Sequence, residues 1–290
     1  MTDDRAFGVS PGHFTPYQQL DEVLLNHAHA LQVVLGSNFI GLYPTGSLAI
    51  GDFDLTSDID FAVVTARKLS DIEVAKIQSV HTDLLRQDSR WVKHLEYSFF
   101  SLPELNKKSS PYAPGGRRNK SSARHLWYFA NGGATMERSD HDNTLVTRWT
   151  LRNASRAVLG PEPPSFAPEV TAGELREEIK NSLVGWEKLV RAHEGQFLNN
   201  RFHQVFLVLN NCRALQDLHE GRITSKLDGV KWSKENIDPG WHALIDYCWQ
   251  ERQDTAIDVS QPADPEAYKQ TIDFMTYSVV LVEEYRLPDE

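Results

Sequence analysis

The apolar positions of this chain change their period several times. In "YQQLDEVLLNHAHALQVVLG" they recur at three and four residues, which predicts an amphipathic helix over 17–35 that stops near Gly36. "NFIGLYPTG" contracts to a short apolar run entering a turn, and "LAIGDFDL" is mixed, with Gly51 a bend. "DIDFAVVTA" reads as a strand ending near Thr65, "KLSDIEVAKIQSVHTDLLRQ" returns to the helical period, and "KHLEYSFFSL" is a third strand. This alternation predicts an α/β (α+β) domain around a small mixed sheet.

Residues 105–123, "LNKKSSPYAPGGRRNKSSA", form a polar loop that carries Lys107, Lys108, Arg117, Arg118 and Lys120 and no acid. A basic loop beside an anion site and an ordinary solvated loop both fit it. "DHDNTLVTRWTLRNASRAVLG" predicts a helix over 141–157. "GPEPPSFAPEV" is the strongest linker signal, giving a first domain over 1–160, a linker over 161–170 and a second domain over 171–290. Beyond the linker, "AGELREEIKNSLVGWEKLVRAH", "NRFHQVFLVLNNCRALQDLHEG", "GWHALIDYCWQERQD" and "PEAYKQTIDFMTYSVVLVEEYR" all keep the helical period, which predicts an all-α bundle of four or five helices.

Composition narrows the partners. The chain has 290 residues and a formal net charge of -10, a field that repels a polyphosphate backbone and argues against general nucleic-acid binding. No apolar stretch approaches the length of a membrane span, and the acidic N-terminal residues do not resemble a signal peptide. Cys212 and Cys248 have no metal-ligand spacing, so a reduced cytoplasmic protein is expected. The default expectation is a monomer, with the apolar "YSVVLVEEYR" as the surface a homodimer would use.

The chemistry concentrates in "YPTGSLAIGDFDLTSDIDFAVV". In a strand Asp58 and Asp60 point one way and Ile59 and Phe61 the other. Two carboxylates on one face repel, and a divalent cation such as Mg²⁺, which prefers hard oxygen ligands, offsets that repulsion. Gly46 and Ser47 precede them in a turn where a backbone can approach a phosphate closely and a hydroxyl can donate to it. Glu96 lies on a strand of its own and would complete a two-ion site, with ions about 3.5–4 Å apart. A paired "DxD" by itself is also common on edge strands and turns.

Gly46-Ser47, then Asp58-x-Asp60, then Glu96 resembles the nucleotidyltransferase superfamily of the DNA polymerase beta type. Within it the chain is similar to the aminoglycoside adenylyltransferases that modify streptomycin and spectinomycin. "DHDNTLVTRWTLRNASRAVLGP" resembles the close of that family's catalytic domain, and "FLVLNNCRALQDLHEGRITSKLDGVKWSKENIDPGWHALIDYCWQ" resembles its C-terminal helical domain. The resemblance implies Asp58 and Asp60 as metal ligands and Glu96 as catalytic base with a metal role. It implies Ser47, beside Gly46, at the terminal phosphates, and Lys226 reaching the nucleotide phosphates from the second domain. Arg213 would face the cleft or pair with an acid in the bundle, and Lys226 would otherwise be a solvated lysine after an N-capping Ser225. Trp232 reads as core.

The chain departs from the family where the cationic antibiotic is gripped. An acidic residue is usual early in the "LVLN" helix, whereas Asn200, His203 and Gln204 stand near that place here. Neither Asn nor neutral His offsets an ammonium as a carboxylate does. Asn200, His203 and Asp142 are the candidate acceptor contacts, with Asp140 or Asp142 alternatively capping the helix that follows. The expected function is Mg²⁺-dependent transfer of AMP, from ATP bound between the domains, to a hydroxyl of a small molecule. The alternatives are a protein acceptor, or a non-catalytic nucleotide-binding protein of the same fold.

Overall fold

The computed structural model describes residues 14–118, 125–192, 199–254 and 259–285. Residues 1–13, Lys120 in the basic loop and the "QFL" before Asn199 fall outside the described residues. The chain divides into two compact units. Of the described residues, 14–53, 57–109 and 125–170 form the first, and 54–56, 110–118 and those from 171 onward form the second.

The first unit is a mixed sheet with helices. Helix α1 (Gln18–Leu35) leads into β1 (Phe39–Pro44), the five-residue α2 (Gly46–Ile50) and β2 (Ile59–Thr65). Then come α3 (Asp71–Leu85), β3 (Leu95–Ser101) and the single turn α4 (Leu102–Leu105). After the hairpin strands β4 (Tyr112–Ala113) and β5 (Arg117–Arg118), strands β6 (Leu126–Phe129) and β7 (Glu137–Ser139) complete the sheet before α5 (Leu145–Asn153). Its order is β1-β2-β3-β6-β7, with β2 and β3 parallel and the other pairs antiparallel. The parallel pair needs a crossover, and α3 supplies it. That helix starts where its pattern asks it to: Ser70 and Glu73 close a capping box.

Strand alternation sorts the residues onto two faces. Ile59, Phe61 and Val63 of β2 and Leu95, Tyr97 and Phe99 of β3 bury against Leu24, Ala28 and Leu31 of α1 and Ile77 of α3. The other face packs Ala62, Val64 and Phe100 with Tyr43, Leu105, Leu126, Leu151 and Ala167. Residues 158–167 run back over β1: Leu42 exchanges backbone bonds with Val158 and Leu159, and the Tyr43 hydroxyl donates to the Pro161 carbonyl at 3.0 Å.

Three local expectations are corrected. The turn expected at Gly46-Ser47 is the short helix α2. The helix expected over 141–157 spans only Leu145–Asn153, because the Thr144 hydroxyl accepts from the Thr147 amide and starts it there. Asp140 and Asp142 therefore do not cap it, and Asp142 is bonded to Ser98 instead. Strands β6 and β7 were not anticipated, being four and three residues long and too short to show a period.

The second unit contains α6 (Ala172–Ala192), α7 (Arg201–Glu220), α8 (Lys226–Asn236), α9 (His242–Glu251) and α10 (Pro265–Glu284). Gly229 of α8 lies against the α7 backbone, where a Cβ would meet Arg213 Cα at 2.6 Å. The β4–β5 hairpin packs on α6, with the Gly115 amide donating to the Asn181 side chain at 3.0 Å and Lys188 to the Gly115 carbonyl at 2.9 Å. Arg252, after α9, pairs with Asp54 and reaches Thr56 Oγ1 at 3.0 Å. Cys212 and Cys248 are buried free thiols. Among the described residues no helix is long and apolar enough to cross a membrane.

Candidate active site

Asp60 and Glu96 are partners in the parallel register of β2 and β3, so the two carboxylates share a rung and a face. Asp58 lies one residue before β2 and accepts from the Asn131 side-chain amide. Two positions beyond Glu96, Ser98 is paired with Tyr128 on β6 and donates to Asp142 Oδ2 at 2.6 Å. His141 Nε2 is 3.1 Å from Glu96 Oε1 and 3.9 Å from Asp142 Oδ1. One ligand atom from each of Glu96, His141 and Asp142 lies within 4.8 Å of the others.

The ionisation of these groups follows from that crowding. Burial and the neighbouring charges of Glu96, Asp58 and Asp142 push the Asp60 carboxyl well above the usual carboxylate range. Burial also raises Asp142, against the pull of His141 and Ser98. Burial would raise Glu96 as well, but hydrogen bonds from His141 and Tyr128 outweigh it and hold Glu96 below its ordinary value. His141 resists its own desolvation because Glu96, Asp142 and Asp60 surround it, and it is raised to about 9. Glu96 is thus favoured as a carboxylate with the His141 imidazolium drawn against it, while burial and like charge oppose ionisation of Asp60 and Asp142. An oxygen-rich, like-charged donor set of this kind suits Mg²⁺, and Asp58, Asp60 and Glu96 are the residues that would hold it.

Gly46 explains why the turn before α2 needs glycine. Its φ is +51°, and a Cβ there would meet Asp60 Oδ2 at 2.1 Å. The Thr45 amide donates to the Asp60 carbonyl at 2.9 Å, so the backbone just before Gly46 is drawn onto the Asp60 position. Ser47 follows within α2 and is partly exposed.

The candidates of the second unit have local partners. Asn200 caps α7 by accepting from the His203 amide at 2.9 Å, and its side chain also meets the His203 ring. His203 continues to Phe206, whose ring lies 5.8 Å from Lys226 Nζ. Lys226 opens α8 behind the capping Ser225, and Arg213 Nε pairs with Asp217 Oδ2 at 4.0 Å. Sequence reasoning missed Tyr128, Ser98 and Asn131. Ser98 was within reach, standing two positions from Glu96 on the same predicted strand, whereas "FANGG" gives no signal that Asn131 meets Asp58.

Residues 36–107 match the nucleotidyltransferase domain family, and residues 166–278 match the C-terminal domain of aminoglycoside adenylyltransferases. The chain is an aminoglycoside adenylyltransferase-like nucleotidyltransferase. Spectinomycin 9-adenylyltransferases of Staphylococcus aureus, among them those of strains Mu50 and N315, are 25% identical to it over 205 residues, 69% of this chain and 72% of theirs. A crystal structure of a spectinomycin adenyltransferase from Enterococcus faecialis, with ATP and spectinomycin, shares the fold at TM-score 0.65 and 14% identity, covering 90% of this chain and 98% of that one. In this adenylyltransferase-like chain the first match takes in Gly46, Ser47, Asp58, Asp60 and Glu96, while His141 and Asp142 lie between the two matches.

Proposed function

We propose that this protein transfers AMP from ATP to a hydroxyl of a small molecule in an Mg²⁺-dependent reaction, and that a spectinomycin-like aminocyclitol is the first acceptor to try. The observation that carries the reading is the shared rung of Asp60 and Glu96, with Gly46 pressed against Asp60. Two Mg²⁺ ions held by Asp58, Asp60 and Glu96 would neutralise triphosphate charge and acidify the attacking hydroxyl. The hydroxyl oxygen bonds to the α-phosphorus, the bond to pyrophosphate breaks, and Glu96 accepts the hydroxyl proton. His141 and Tyr128, both bonded to Glu96, keep it ionised and therefore able to receive that proton. Ser47, Lys226 and Arg213 are the proposed nucleotide contacts, and Asp142, Asn200 and His203 the proposed acceptor contacts. The relatives named for spectinomycin and the complex with ATP support this choice of donor and acceptor. We place the enzyme in the cytoplasm as a monomer, supplied with ATP there.

The test is a mass-shift screen with ATP and Mg²⁺ against spectinomycin, aminoglycosides, other hydroxylated metabolites and proteins. A small molecule that gains one AMP, with matching pyrophosphate release, is the expected result. AMP appearing only on protein, or no transfer to any acceptor, would overturn the small-molecule reading.

A further inference from the structure

The segment that brings His141 and Asp142 to the acid cluster lies outside both family matches. Three successive same-face positions of β3 engage it. Glu96 meets His141 at 3.1 Å, Ser98 meets Asp142 at 2.6 Å, and the Phe100 ring lies 5.6 Å from the Arg148 guanidinium. Arg148, on α5, is fully buried. Its Nε donates to the Leu105 carbonyl at 2.7 Å and its Nη2 to the Glu104 carbonyl at 2.9 Å. Its Nη2 also donates to Asn143 Oδ1 at 2.7 Å, and its Nη1 to the Thr144 carbonyl at 2.8 Å. One rigid fork thus ties the carbonyls at the end of α4 to the two residues that follow Asp142.

We infer that Arg148 is a positioning residue for the transfer: it sets the 140–144 turn in the register that lays His141 on Glu96 and Asp142 on Ser98. The inference rests on the proposed reading in which Glu96 takes the proton. A lysine has a single point of charge and cannot span acceptors on both segments, so the geometry asks for a guanidinium. The same helix supplies a matched control. Arg152, one turn on, also donates to two carbonyls, those of Pro164 and Ala167, and it does so away from the carboxylates.

The experiment compares Arg148→Lys, Asn143→Ala and Arg152→Lys in the full chain by thermal unfolding, by the His141 ring proton resonances, and by kcat and KM for ATP with the acceptor from the screen. Arg148→Lys and Asn143→Ala are expected to displace the His141 resonances. They should also lower kcat about tenfold or more while the ATP KM stays within about twofold. Arg152→Lys should leave the resonances and kcat at wild-type values, whatever it loses in Tm. A folded Asn143→Ala protein with unmoved His141 resonances would overturn the inference, and so would an Arg152→Lys protein whose kcat falls equally. Asn143→Ala decides the matter if Arg148→Lys does not fold. Glu96→Gln separates the two readings: if it turns over normally, the proton-acceptor role fails, while the resonances still report on the clamp.

Discussion

Asp60 and Glu96 stand opposite one another in the parallel pairing of β2 with β3, and Ser98, on the next same-face position of β3, brings in Asp142. Three carboxylates and Asp58 therefore crowd one sheet face, and the cost falls on Asp60, whose ionised form burial and its neighbours disfavour. The same crowding that opposes ionisation is what a bound cation would offset.

Asp60→Asn separates these two effects. Without added divalent ion the variant should match or exceed the wild type in stability, since an amide never ionises among the like charges that disfavour the Asp60 carboxylate. For a chain of this size each kcal/mol of relieved repulsion raises Tm by about 2–4 °C. With Mg²⁺ the wild type should gain stability and the variant little, and transfer should fall by about 10²–10³-fold. Thermal unfolding with and without Mg²⁺ checks it; a variant that gains as much from Mg²⁺ as the wild type would remove Asp60 from the ligand set.

Glu96→Gln keeps the shape of the side chain and its acceptor oxygen but cannot take a proton. Loss of a positioned base costs about 10²–10⁴-fold in kcat, with ATP binding little changed. Steady-state kinetics at varied ATP reads both terms. A rise in ATP KM with kcat preserved would reassign Glu96 to nucleotide binding.

How far the site was legible depended on the kind of signal each residue leaves. Alternation alone puts Asp60 on the face it shares with Glu96 and Phe61 in the core, and Phe61 stacks on Tyr97 as that alternation requires. The DHDN turn misled because helical periodicity from Leu145 extends backward through residues that commonly cap helices, and Thr144 shares that capping chemistry with Asp142. What decides between them is a partner 44 residues away, Ser98, which local propensity does not register. Tyr128 and Asn131 belong to short segments whose meaning comes only from pairing with β3 and meeting Asp58. In the helical unit, by contrast, Asn200 and Ser225 precede helices as their residue types suggest, and Arg213 meets Asp217 at the i,i+4 spacing.

Gly46→Ala tests the close approach to Asp60, and Gly36→Ala provides the reference. Both glycines have nearly the same φ, +51° and +52°, but a Cβ at 36 meets nothing within 4 Å. Gly36→Ala should therefore cost only the backbone strain, about 1–3 kcal/mol at φ 52° and ψ −126°. Gly46→Ala adds a clash that Asp60 must move to relieve, for a total of about 2–4 kcal/mol, and it alone should abolish transfer. Equal losses in denaturant melts, with activity kept in both, would show that the Asp60 carboxylate tolerates displacement.

His27 carries the pH prediction. It lies 2% exposed beneath the sheet, edge-on to Phe61 and Tyr97, and neither ring nitrogen has a hydrogen-bond partner among the described residues. Burial first, and then nearby His81, lower it from 6.5 to about 3. The folded state thus holds His27 neutral while the unfolded chain takes up a proton below pH 6.5. Its contribution is intact above pH 6.5 and is lost as the pH falls from there through 3, at about 1.4 kcal/mol per pH unit. His27→Leu should therefore match or exceed wild-type stability near neutrality, because two unsatisfied nitrogens are removed. It should also unfold with a shallower acid limb, the difference amounting to about one proton. Denaturant melts of both proteins between pH 7 and pH 4 measure that slope, and parallel limbs would mean that His27 finds a way to protonate within the fold.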